Sequence, residues 1–318
     1  MDLVERVRAT RLVPAGGPLV VLLSGGRDSV CLLDVTVTLA GAEAVVALHV
    51  NFGLRGEASD GDERHCAALC ARLGVGLEVE RAARPDRGGG TGNLQAWARD
   101  LRYAAGSRLA GERGARLAAG HTLSDQVETI LYRLAVSPGR RALLGMEADR
   151  GRLVRPLLAA EVTRAETAAW CLDRGLAWRE DATNLDPAFA RTRVREGLLP
   201  ALRAVDPRAE VNVLRTAQLL RDEAAVLDQV VDTALAGRDR LARDKLASLP
   251  PALARLVLRR LAEDATGRLC ARAATRLDQV LALGDHGALD LGDGARAIVE
   301  RGVLRVGRTP DLAPRPGV

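Results

Sequence analysis

Lysine, aromatic side chains and long apolar runs are scarce in this sequence of 318 residues. Lys245 is the only lysine, which excludes a Walker A loop, because that loop needs a lysine directly after its glycines. Aromatic residues make up 2% of the chain, which argues against RNA binding by base stacking on an aromatic platform. No apolar run approaches membrane-spanning length, and the first residues lack the apolar core of a signal peptide. We therefore expect no membrane partner and a cytoplasmic location.

Cysteine is present, but not in a pattern that suits a disulfide framework or a zinc site. The five cysteines are Cys31, Cys66, Cys70, Cys171 and Cys270. Their number is odd, no Cys-x-x-Cys pair occurs, and several lie in apolar helical contexts. We expect buried thiols in a reducing cytosol.

Overall composition is that of a folded protein. Apolar residues make up 47% of the chain, and its length is sufficient for two ordinary domains. The formal net charge of +5 comes almost wholly from arginine, which is typical of a G+C-rich genome and is weak support for nucleic-acid binding. A positive excess of this size is nevertheless compatible with a polyanionic partner.

The most informative stretch is an aliphatic run, Leu19–Leu23, that stops at a glycine-rich turn. The turn consists of Ser24, Gly25, Gly26, Arg27, Asp28 and Ser29, and an apolar stretch with helical spacing follows it. A strand that leads through such a turn into a helix presents backbone N–H groups and the positive end of the helix dipole to an anion. A carboxylate such as Asp28 repels phosphate unless a cation lies between them, which indicates Mg²⁺. A glycine-rich turn without a ligand is the alternative.

The pattern Ser-Gly-Gly-x-Asp-Ser resembles the PP-loop, the pyrophosphate-binding loop of the N-type ATP pyrophosphatases. Those enzymes cleave ATP between its α and β phosphates and so activate a substrate as an adenylate. The dinucleotide fingerprint GxGxxG is absent from this turn. The resemblance implies ATP as a substrate and Mg²⁺ as a cofactor.

Strand and helix patterns alternate through the first half of the chain. We predict strands over Leu19–Leu23, Ala44–Asn51, Leu77–Val79 and Ala115–Ala119, and helices over Ser29–Leu39, Asp60–Leu73, Asn93–Leu109 and Ser124–Leu134. This rhythm predicts an α/β fold with a doubly wound parallel sheet, in which ligands bind at the carboxyl ends of the strands.

The pattern changes near Pro200. A long helix over Arg208–Leu235, further helices and three short strands after Gly284 are expected. We therefore predict a catalytic domain over residues 1–200 and a smaller, mainly helical domain with short terminal strands over residues 201–318.

A second chemical motif, Gly120–Thr129, follows a predicted strand and opens a helix. Asp125 and Glu128 are three residues apart, so one helix face presents both carboxylates, which could hold Mg²⁺ or an ammonium group. The alternative is a capped amphipathic helix with Ser124 as its N-cap. Beside the glycine-rich turn we favour a functional site.

Other polar and basic positions allow two interpretations each. His49 and Asn51 end a strand and could line the nucleotide site, although His49 could equally be a core histidine. Arg99 and Arg102 share a helix face that could meet phosphate or be solvated. Arg191, Arg193 and Arg195 form a basic cluster after a polar loop, suited to RNA phosphates or to a plain surface helix.

Taken in order, these blocks resemble the tRNA(Ile)-lysidine synthetase family over about Leu19 to Leu202. The resemblance rests on Ser-Gly-Gly-Arg-Asp-Ser, His-Val-Asn-Phe-Gly-Leu-Arg, Ala-Arg-Asp-Leu-Arg-Tyr, Gly-His-Thr-Leu-Ser-Asp-Gln-Val-Glu-Thr, Leu-Val-Arg-Pro-Leu-Leu, and Glu-Asp-Ala-Thr-Asn-Leu-Asp-Pro followed by Arg-Thr-Arg-Val-Arg. The family attaches lysine to the wobble cytidine of an isoleucine tRNA with a CAU anticodon, which gives lysidine. This implies ATP, free L-lysine and that tRNA as substrates.

The resemblance also implies residue roles. Asp28, Asp125 and Glu128 would be catalytic, with Asp28 and Asp125 at the metal. ATP would contact Ser24, Gly25, Gly26, Arg27, Asp28, Ser29, His49, Asn51 and His121. The tRNA would contact Arg191, Arg193, Arg195, Arg99 and Arg102.

This chain departs from the family pattern in three places. Ser124 replaces the first of two usual aspartates, Thr192 replaces a usual asparagine, and residues 136–139 replace a common Arg-Gly-Ser-Gly.

Two other functions are compatible with parts of the pattern. A PP-loop tRNA thiolase usually needs cysteines near its site or a Cys-x-x-Cys pair, and neither stands there. A non-catalytic nucleotide-binding sensor would have no reason for the basic segment Arg191–Arg195. The sequence does not fix the oligomeric state, and a homodimer stays open.

Overall fold

The computed structural model describes residues 2–82, 94–136, 140–180 and 190–310. The chain divides into two compact units, residues 1–220 and residues 221–318. Their boundary falls within a long helix, Ala209–Leu235. The expected division after residue 200, with catalysis before it and tRNA recognition after it, stays a prediction.

The first unit contains a mixed sheet, which has six strands in the described residues. The strands are β1 (Leu19–Leu22), β2 (Val45–Asn51), β3 (Gly76–Arg81), β4 (Arg116–Ala118), β5 (Asp149–Arg150) and β6 (Leu153–Val154), in the order β3-β2-β1-β4-β6-β5. All neighbours pair in parallel except β5 and β6. The predicted doubly wound parallel sheet is confirmed. The short β5–β6 hairpin was not predicted, because strands of two residues carry no periodicity.

Ten helices begin in the first unit, as the structure describes it, and the last of them, α10, extends beyond residue 220. They are α1 (Leu3–Ala9), α2 (Arg27–Ala40), α3 (Glu57–Leu73), α4 (Leu94–Glu112), α5 (Leu123–Val136), α6 (Pro156–Ala159), α7 (Arg164–Asp173), α8 (Ala190–Arg193), α9 (Leu199–Val205) and α10 (Ala209–Leu235). A π-helical turn, Val194–Leu198, joins α8 to α9. Across the described ranges, every helix is too short or too polar to cross a bilayer.

Both faces of β1 are buried, which explains its unbroken aliphatic sequence. Leu19 and Val21 pack in one core cluster with residues of α2 and α7, and Val20 and Leu22 pack in another with residues of α4. The chain runs from β1 outward to β3 and then returns to place β4 on the other side of β1. Such a reversal of strand order opens a crevice at the carboxyl ends of the two central strands. The glycine-rich turn follows β1 and the second motif follows β4, so both lie at this crevice.

The second unit combines helices with an antiparallel sheet. Its strands in the described residues are β7 (Arg240–Ala242), β8 (His286–Gly292), β9 (Ala295–Glu300) and β10 (Val303–Arg308), in the order β7-β10-β9-β8. Its helices are α11 (Arg243–Ser248), α12 (Pro251–Thr266) and α13 (Leu277–Leu281), and α12 buries Val257, Leu258 and Leu261. Lys245 is exposed on α11. The three predicted terminal strands are present, and β7 was not predicted.

Candidate active site

The glycine-rich turn after β1 is held by its own serines. The Ser24 N–H donates to Ser29 Oγ at 3.2 Å, the Gly26 N–H donates to Ser24 Oγ at 3.3 Å, and Ser29 Oγ donates to the Gly26 carbonyl at 2.8 Å. Gly26 is the N-cap of α2, and within the described structure no side-chain hydrogen bond caps the amino end of that helix. Gly25 has a φ of +82°, a conformation that favours glycine. The turn therefore has the backbone that an anion site requires.

A residue distant in sequence fixes this turn from outside. The Arg179 N–H donates to the Gly25 carbonyl at 2.9 Å. Its guanidinium pairs with the buried carboxylate of Asp62 on α3. The turn is thus tied to α3 as well as to its own strand and helix.

The turn after β4 lies directly against the turn after β1. A Cβ atom on Gly120 would stand 3.0 Å from the carbonyl oxygen of Asp28 and 3.2 Å from the Cα atom of Ser29. Both neighbouring atoms belong to the backbone, so the two turns meet with no room for a side chain at Gly120. This close approach brings Asp28 and Asp125 to the same end of the sheet.

The start of α5 is capped by Thr122. Asp125 Oδ2 accepts the Thr122 N–H at 2.8 Å and the Thr122 hydroxyl at 2.9 Å. The alternative in which Ser124 is the N-cap is wrong in its cap residue, because α5 begins at Leu123 and Thr122 stands three residues before Asp125. Ser124 Oγ instead accepts the N–H of Arg164 at 3.2 Å. The serine that departs from the family pattern therefore positions the start of α7.

Glu128 is the most buried carboxylate of the site, with 2% of its side chain exposed. Arg195 binds it in bidentate fashion, with Nε 2.7 Å from Oε1 and Nη2 2.9 Å from Oε2. Arg164 Nη1 donates to the same Oε1 at 2.9 Å. The hydrogen bonds that Arg195 donates to Glu128 raise the pKa of Arg195, although burial opposes this. Two cations thus compensate one buried anion.

Asp28 and Asp125 face each other across Arg164. Arg164 Nη2 donates to Asp125 Oδ1 at 3.0 Å, and its Nε lies 3.9 Å from Asp28 Oδ2. Asp28 Oδ1 also accepts the Thr167 hydroxyl and, at 3.3 Å, the Nε–H of Arg27. Burial raises the pKa of the Asp28 carboxyl, and the charge of Asp125 raises it further, against the opposing effects of Thr167, Arg27 and Arg164. The site therefore favours an additional positive charge near Asp28.

This donor set fits Mg²⁺ that arrives with a triphosphate. Mg²⁺ is commonly held by one or two carboxylates together with substrate phosphates, and Asp28 and Asp125 are two such carboxylates beside an anion-binding turn. No group of three or more His, Cys, Asp or Glu residues in the described ranges is arranged to hold a metal ion unaided. A metal at this site would consequently depend on the nucleotide for its remaining ligands.

The two polar residues of β2 are engaged within the protein. His49 is buried, with Nδ1 2.9 Å from the Leu23 carbonyl oxygen and 3.4 Å from Cys66 Sγ. Asn51 donates from Nδ2 to Asp60 at 3.1 Å and to Glu63 at 2.9 Å. These contacts position the residues that follow β1 and β2, and direct contact of either residue with ATP stays a prediction.

His121, in the turn between β4 and α5, lies among arginines. Arg155, which is buried, donates from Nε to His121 Nδ1 at 3.2 Å. Burial lowers the pKa of His121 to about 3, and the charges of Arg155, Arg99, Arg102 and Arg191 act in the same direction. Arg102 is itself half-buried, burial lowers its pKa, and its Nε has no hydrogen-bond partner in the described structure. This surplus of cations is suited to an anionic ligand.

We expect His121 to make the first unit less stable in acid. The unfolded chain binds a proton at His121 below about pH 6.5 whereas the folded chain does so only near pH 3, so stability rises with pH in this window. His121→Asn should therefore remove about 2 kcal/mol of the stability difference between pH 7 and pH 5. Urea unfolding monitored by tryptophan fluorescence measures this, because Trp97, Trp170 and Trp178 all lie in the first unit. His286→Asn, in the second unit, is the control, and an unchanged pH dependence in His121→Asn would contradict the prediction.

The basic segment does not form one continuous cationic surface. Arg195 is bound to Glu128, Arg191 Nη2 donates to Thr129 Oγ1 at 3.3 Å, and Arg193 is exposed. Thr192, which departs from the family pattern, is buried. Arg99 stacks over Tyr103, with its guanidinium carbon 5.0 Å from the ring centroid. Contact of these arginines with tRNA stays a prediction. Residues 181–189, which carry part of the resemblance, and residues 137–139, which depart from the family pattern, lie outside the described residues.

Three residues of the site were not predicted as such: Arg164, Thr167 and Arg155. Arg155 belongs to the motif Leu-Val-Arg-Pro-Leu-Leu, on which part of the family resemblance rests. That motif did not indicate that Arg155 contacts His121. Arg164 and Thr167 lie in the first turn of α7, whose start is marked by the capping box of Thr163 and Glu166. The capping box predicts where α7 begins, but only the tertiary structure brings this end of the helix next to Asp28.

Comparison with known protein families is consistent with this geometry. A family profile described as a PP-loop domain matches residues 6–202. A tRNA(Ile)-lysidine synthase from Salinispora tropica is 37% identical over 310 residues, which cover 92% of this chain and 91% of that protein. Those from Dehalococcoides mccartyi and Thermus thermophilus are 35% and 40% identical over 86% and 87% of this chain. The chain spans only 62% and 54% of the length of these two relatives.

A solved structure of low sequence identity has the same fold. The U34-tRNA thiolase NcsA from Methanococcus maripaludis matches with a TM-score of 0.54 at 19% identity, over 69% of this chain and 78% of that one. At this identity the match concerns the fold alone.

Proposed function

The chain belongs to the tRNA(Ile)-lysidine synthase family of PP-loop proteins, and from this we propose that it joins L-lysine to the C2 position of the wobble cytidine of a CAU-anticodon tRNA. ATP would be consumed and AMP and diphosphate released. The proposal rests on one observation. Where the strand order reverses, the Ser24–Ser29 turn contacts the turn at Gly120, which leads into the helix that carries Asp125 and Glu128. We place the reaction in the cytoplasm, where its tRNA substrate is found.

The first step activates the base. The C2 oxygen of cytidine is a poor leaving group, so it must first attack the α-phosphate of ATP, which forms an adenylated cytidine and displaces diphosphate. The backbone N–H groups of Gly25, Gly26 and the start of α2 would receive the diphosphate charge, and Ser24 and Ser29 hold that backbone in place. Mg²⁺, held by Asp28 and Asp125, would supply charge neutralisation for the phosphates when bound.

The second step uses the amine of free lysine. After the ammonium group has released a proton to water, its nitrogen attacks C2 and the C–N bond forms. AMP leaves with the former C2 oxygen, and the new C–N nitrogen releases a further proton to water. Asp125, whose side chain is 16% exposed, would orient the ammonium group before attack. A carboxylate partner stabilises the protonated amine, so this contact orients the substrate rather than removing its proton. Glu128, already neutralised by Arg164 and Arg195, would hold the arginine side chains around the reacting groups.

Recognition of the tRNA is assigned to cationic side chains. Arg193 is exposed and Arg99 and Arg102 lie near the His121 cluster, so both sets would contact backbone phosphates. We assign discrimination among tRNAs to the mainly helical part of the chain after residue 200. The expectation that no cysteine stands near the turn is wrong, because a Cβ atom on Gly25 would lie 3.3 Å from Cys66 Sγ and Cys171 Sγ lies 3.7 Å from the Arg27 carbonyl oxygen. Thiolation is nevertheless disfavoured, because all five cysteines are buried and burial raises the pKa of the Cys66 thiol to about 12.

The direct test incubates purified protein with ATP, labelled L-lysine and a CAU-anticodon tRNA transcript. We expect label in the RNA and stoichiometric release of AMP that depends on both lysine and tRNA. A tRNA with another anticodon at the same concentration is the control. AMP release without RNA labelling would favour a different adenylating enzyme, and ATP binding without turnover would favour a nucleotide sensor.

Asp28→Asn should lower the rate of AMP formation by about 100-fold while the fold is kept. The amide retains the size of the carboxylate and its contact with Thr167 but removes the charge that faces Mg²⁺ and the phosphates. Single-turnover AMP formation measures the effect. Asp149→Asn, at an exposed ion pair with Arg116, is the control, and wild-type activity in Asp28→Asn would refute the metal role.

A further inference from the structure

One guanidinium group lies among all three carboxylates of the site. Arg164 donates to Glu128 Oε1 at 2.9 Å and to Asp125 Oδ1 at 3.0 Å, and its Nε is 3.9 Å from Asp28 Oδ2. Its backbone is fixed at the start of α7, because its N–H donates to Ser124 Oγ on α5 at 3.2 Å. The side chain thus occupies the space between Asp28 and Asp125.

The neighbouring cations do not share this position. Arg195 contacts Glu128, and Arg27 contacts Asp28 and Thr167. Of the ion pairs seen within the described ranges, those of Arg164 are the ones that join Asp28 to Asp125. A second cation bound by both aspartates would have to replace its guanidinium there.

The contacts of Arg164 differ in how readily they can be given up. The Asp28 contact is long, at 3.9 Å, and 24% of the Arg164 side chain is exposed. Glu128 has its own bidentate partner in Arg195, so it stays neutralised when Arg164 moves. Asp125 keeps two hydrogen bonds from Thr122. The carboxylates would therefore hold their places after the guanidinium leaves.

We propose that Arg164 is an exchangeable counter-cation, which neutralises Asp28 and Asp125 in the ligand-free protein and gives up both contacts when a divalent cation binds. The proposal rests on the proposed function for the identity of that cation as the Mg²⁺ that accompanies ATP. This exchange lowers the affinity of the site for the divalent cation, because only the fraction of the free protein in which Arg164 has left the two aspartates can bind it. Arg164 would hold the site formed but make it bind metal weakly until the nucleotide supplies further ligands.

The test measures Mn²⁺ binding to the nucleotide-free full chain by electron paramagnetic resonance. Arg164→Met keeps the length of the side chain and removes its charge, so Mn²⁺ should bind at least about tenfold more tightly, which corresponds to about 1.4 kcal/mol. Arg174→Met is the matched control, because it removes an arginine that pairs with Asp34 just beyond the same helix. Its Mn²⁺ affinity should stay within about twofold of wild type. Equal or weaker Mn²⁺ binding by Arg164→Met overturns the proposal.

A second variant separates exchange from simple structural support. Arg164→Lys keeps the charge and should bind Mn²⁺ like wild type. If Arg164 is exchanged for the metal, Mn²⁺ should raise the melting temperature of Arg164→Met more than it raises that of wild type or of Arg164→Lys. A purely structural role predicts a lower melting temperature for Arg164→Met with no larger response to Mn²⁺, and that result also overturns the proposal. No tRNA or lysine enters this assay. If no label enters the RNA but Arg164→Met binds Mn²⁺ more tightly, the proposed function is rejected and the exchange role of Arg164 is kept.

Discussion

Glu128→Gln is expected to lower the free energy of unfolding of the first unit by about 3 kcal/mol and to reduce lysidine formation at least about 100-fold, because the arginines that Glu128 holds lose their positions. The replacement keeps the shape of the side chain but removes a buried negative charge that Arg195 and Arg164 both contact. Arg195 then has a half-buried charge without its bidentate partner, which is the costly state of a broken ion pair. Urea unfolding followed by tryptophan fluorescence reports the first unit alone, because all three tryptophans lie there.

A double variant separates the cost of the unpaired charge from loss of packing. Adding Arg195→Gln to Glu128→Gln removes the stranded cation, so part of the lost stability should return while activity stays absent. Glu78→Gln is the control, since it breaks an exposed pair with Arg113 and should cost less than about 1 kcal/mol. Wild-type stability in Glu128→Gln would show that the two arginines do not depend on this carboxylate.

Gly120→Ala is expected to destabilise the first unit by about 2 kcal/mol and to weaken ATP binding at least about 100-fold. The added Cβ would stand 3.0 Å from the Asp28 carbonyl oxygen and 3.1 Å from its carbonyl carbon. Neither atom can rotate away as a side chain does, so the two turns must separate. Separation displaces the backbone N–H groups at the start of α2, on which the phosphate site depends.

Gly111→Ala is the matched control for this substitution. Gly111 lies near the end of α4, and a Cβ there would meet nothing within 4 Å. Alanine favours a helix over glycine by up to about 1 kcal/mol, so this variant should be as stable as wild type or more so. Isothermal titration with a non-hydrolysable ATP analogue measures binding for both variants. Equal affinities would mean that the contact between the two turns is not needed for the site.

Much of the fold could be predicted because local patterns and tertiary packing agree. The aliphatic run of β1 is buried on both faces, and the apolar spacing after Asp28 belongs to a helix that covers one of them. The two chemical motifs could be placed together for a topological reason, since each follows a central parallel strand. The short strands β5, β6 and β7 have too few residues for a periodic pattern.

The partners of the charged side chains could not be predicted in this way. Arg195 belongs to a basic run that suggested phosphate contacts, yet its guanidinium binds the buried Glu128 from a segment 67 residues away. Arg164 looks like an ordinary first-turn residue of an amphipathic helix, and its role depends on where α7 packs. Sequence spacing defines neighbours within a helix, whereas these pairs are set by contacts between helices.

The scarcity of lysine has a chemical consequence for an enzyme of this type. An adenylated base is an electrophile, and any primary amine within reach could intercept it. The first unit contains no lysine side chain, and the single one in the sequence, Lys245, is exposed on α11 of the second unit. The arginines that line the crevice carry guanidinium groups, which remain protonated and are not nucleophiles at neutral pH. Arginines can therefore line the crevice without being modified by the activated base, and amine-reactive labels would report substrate transfer against a very low protein background.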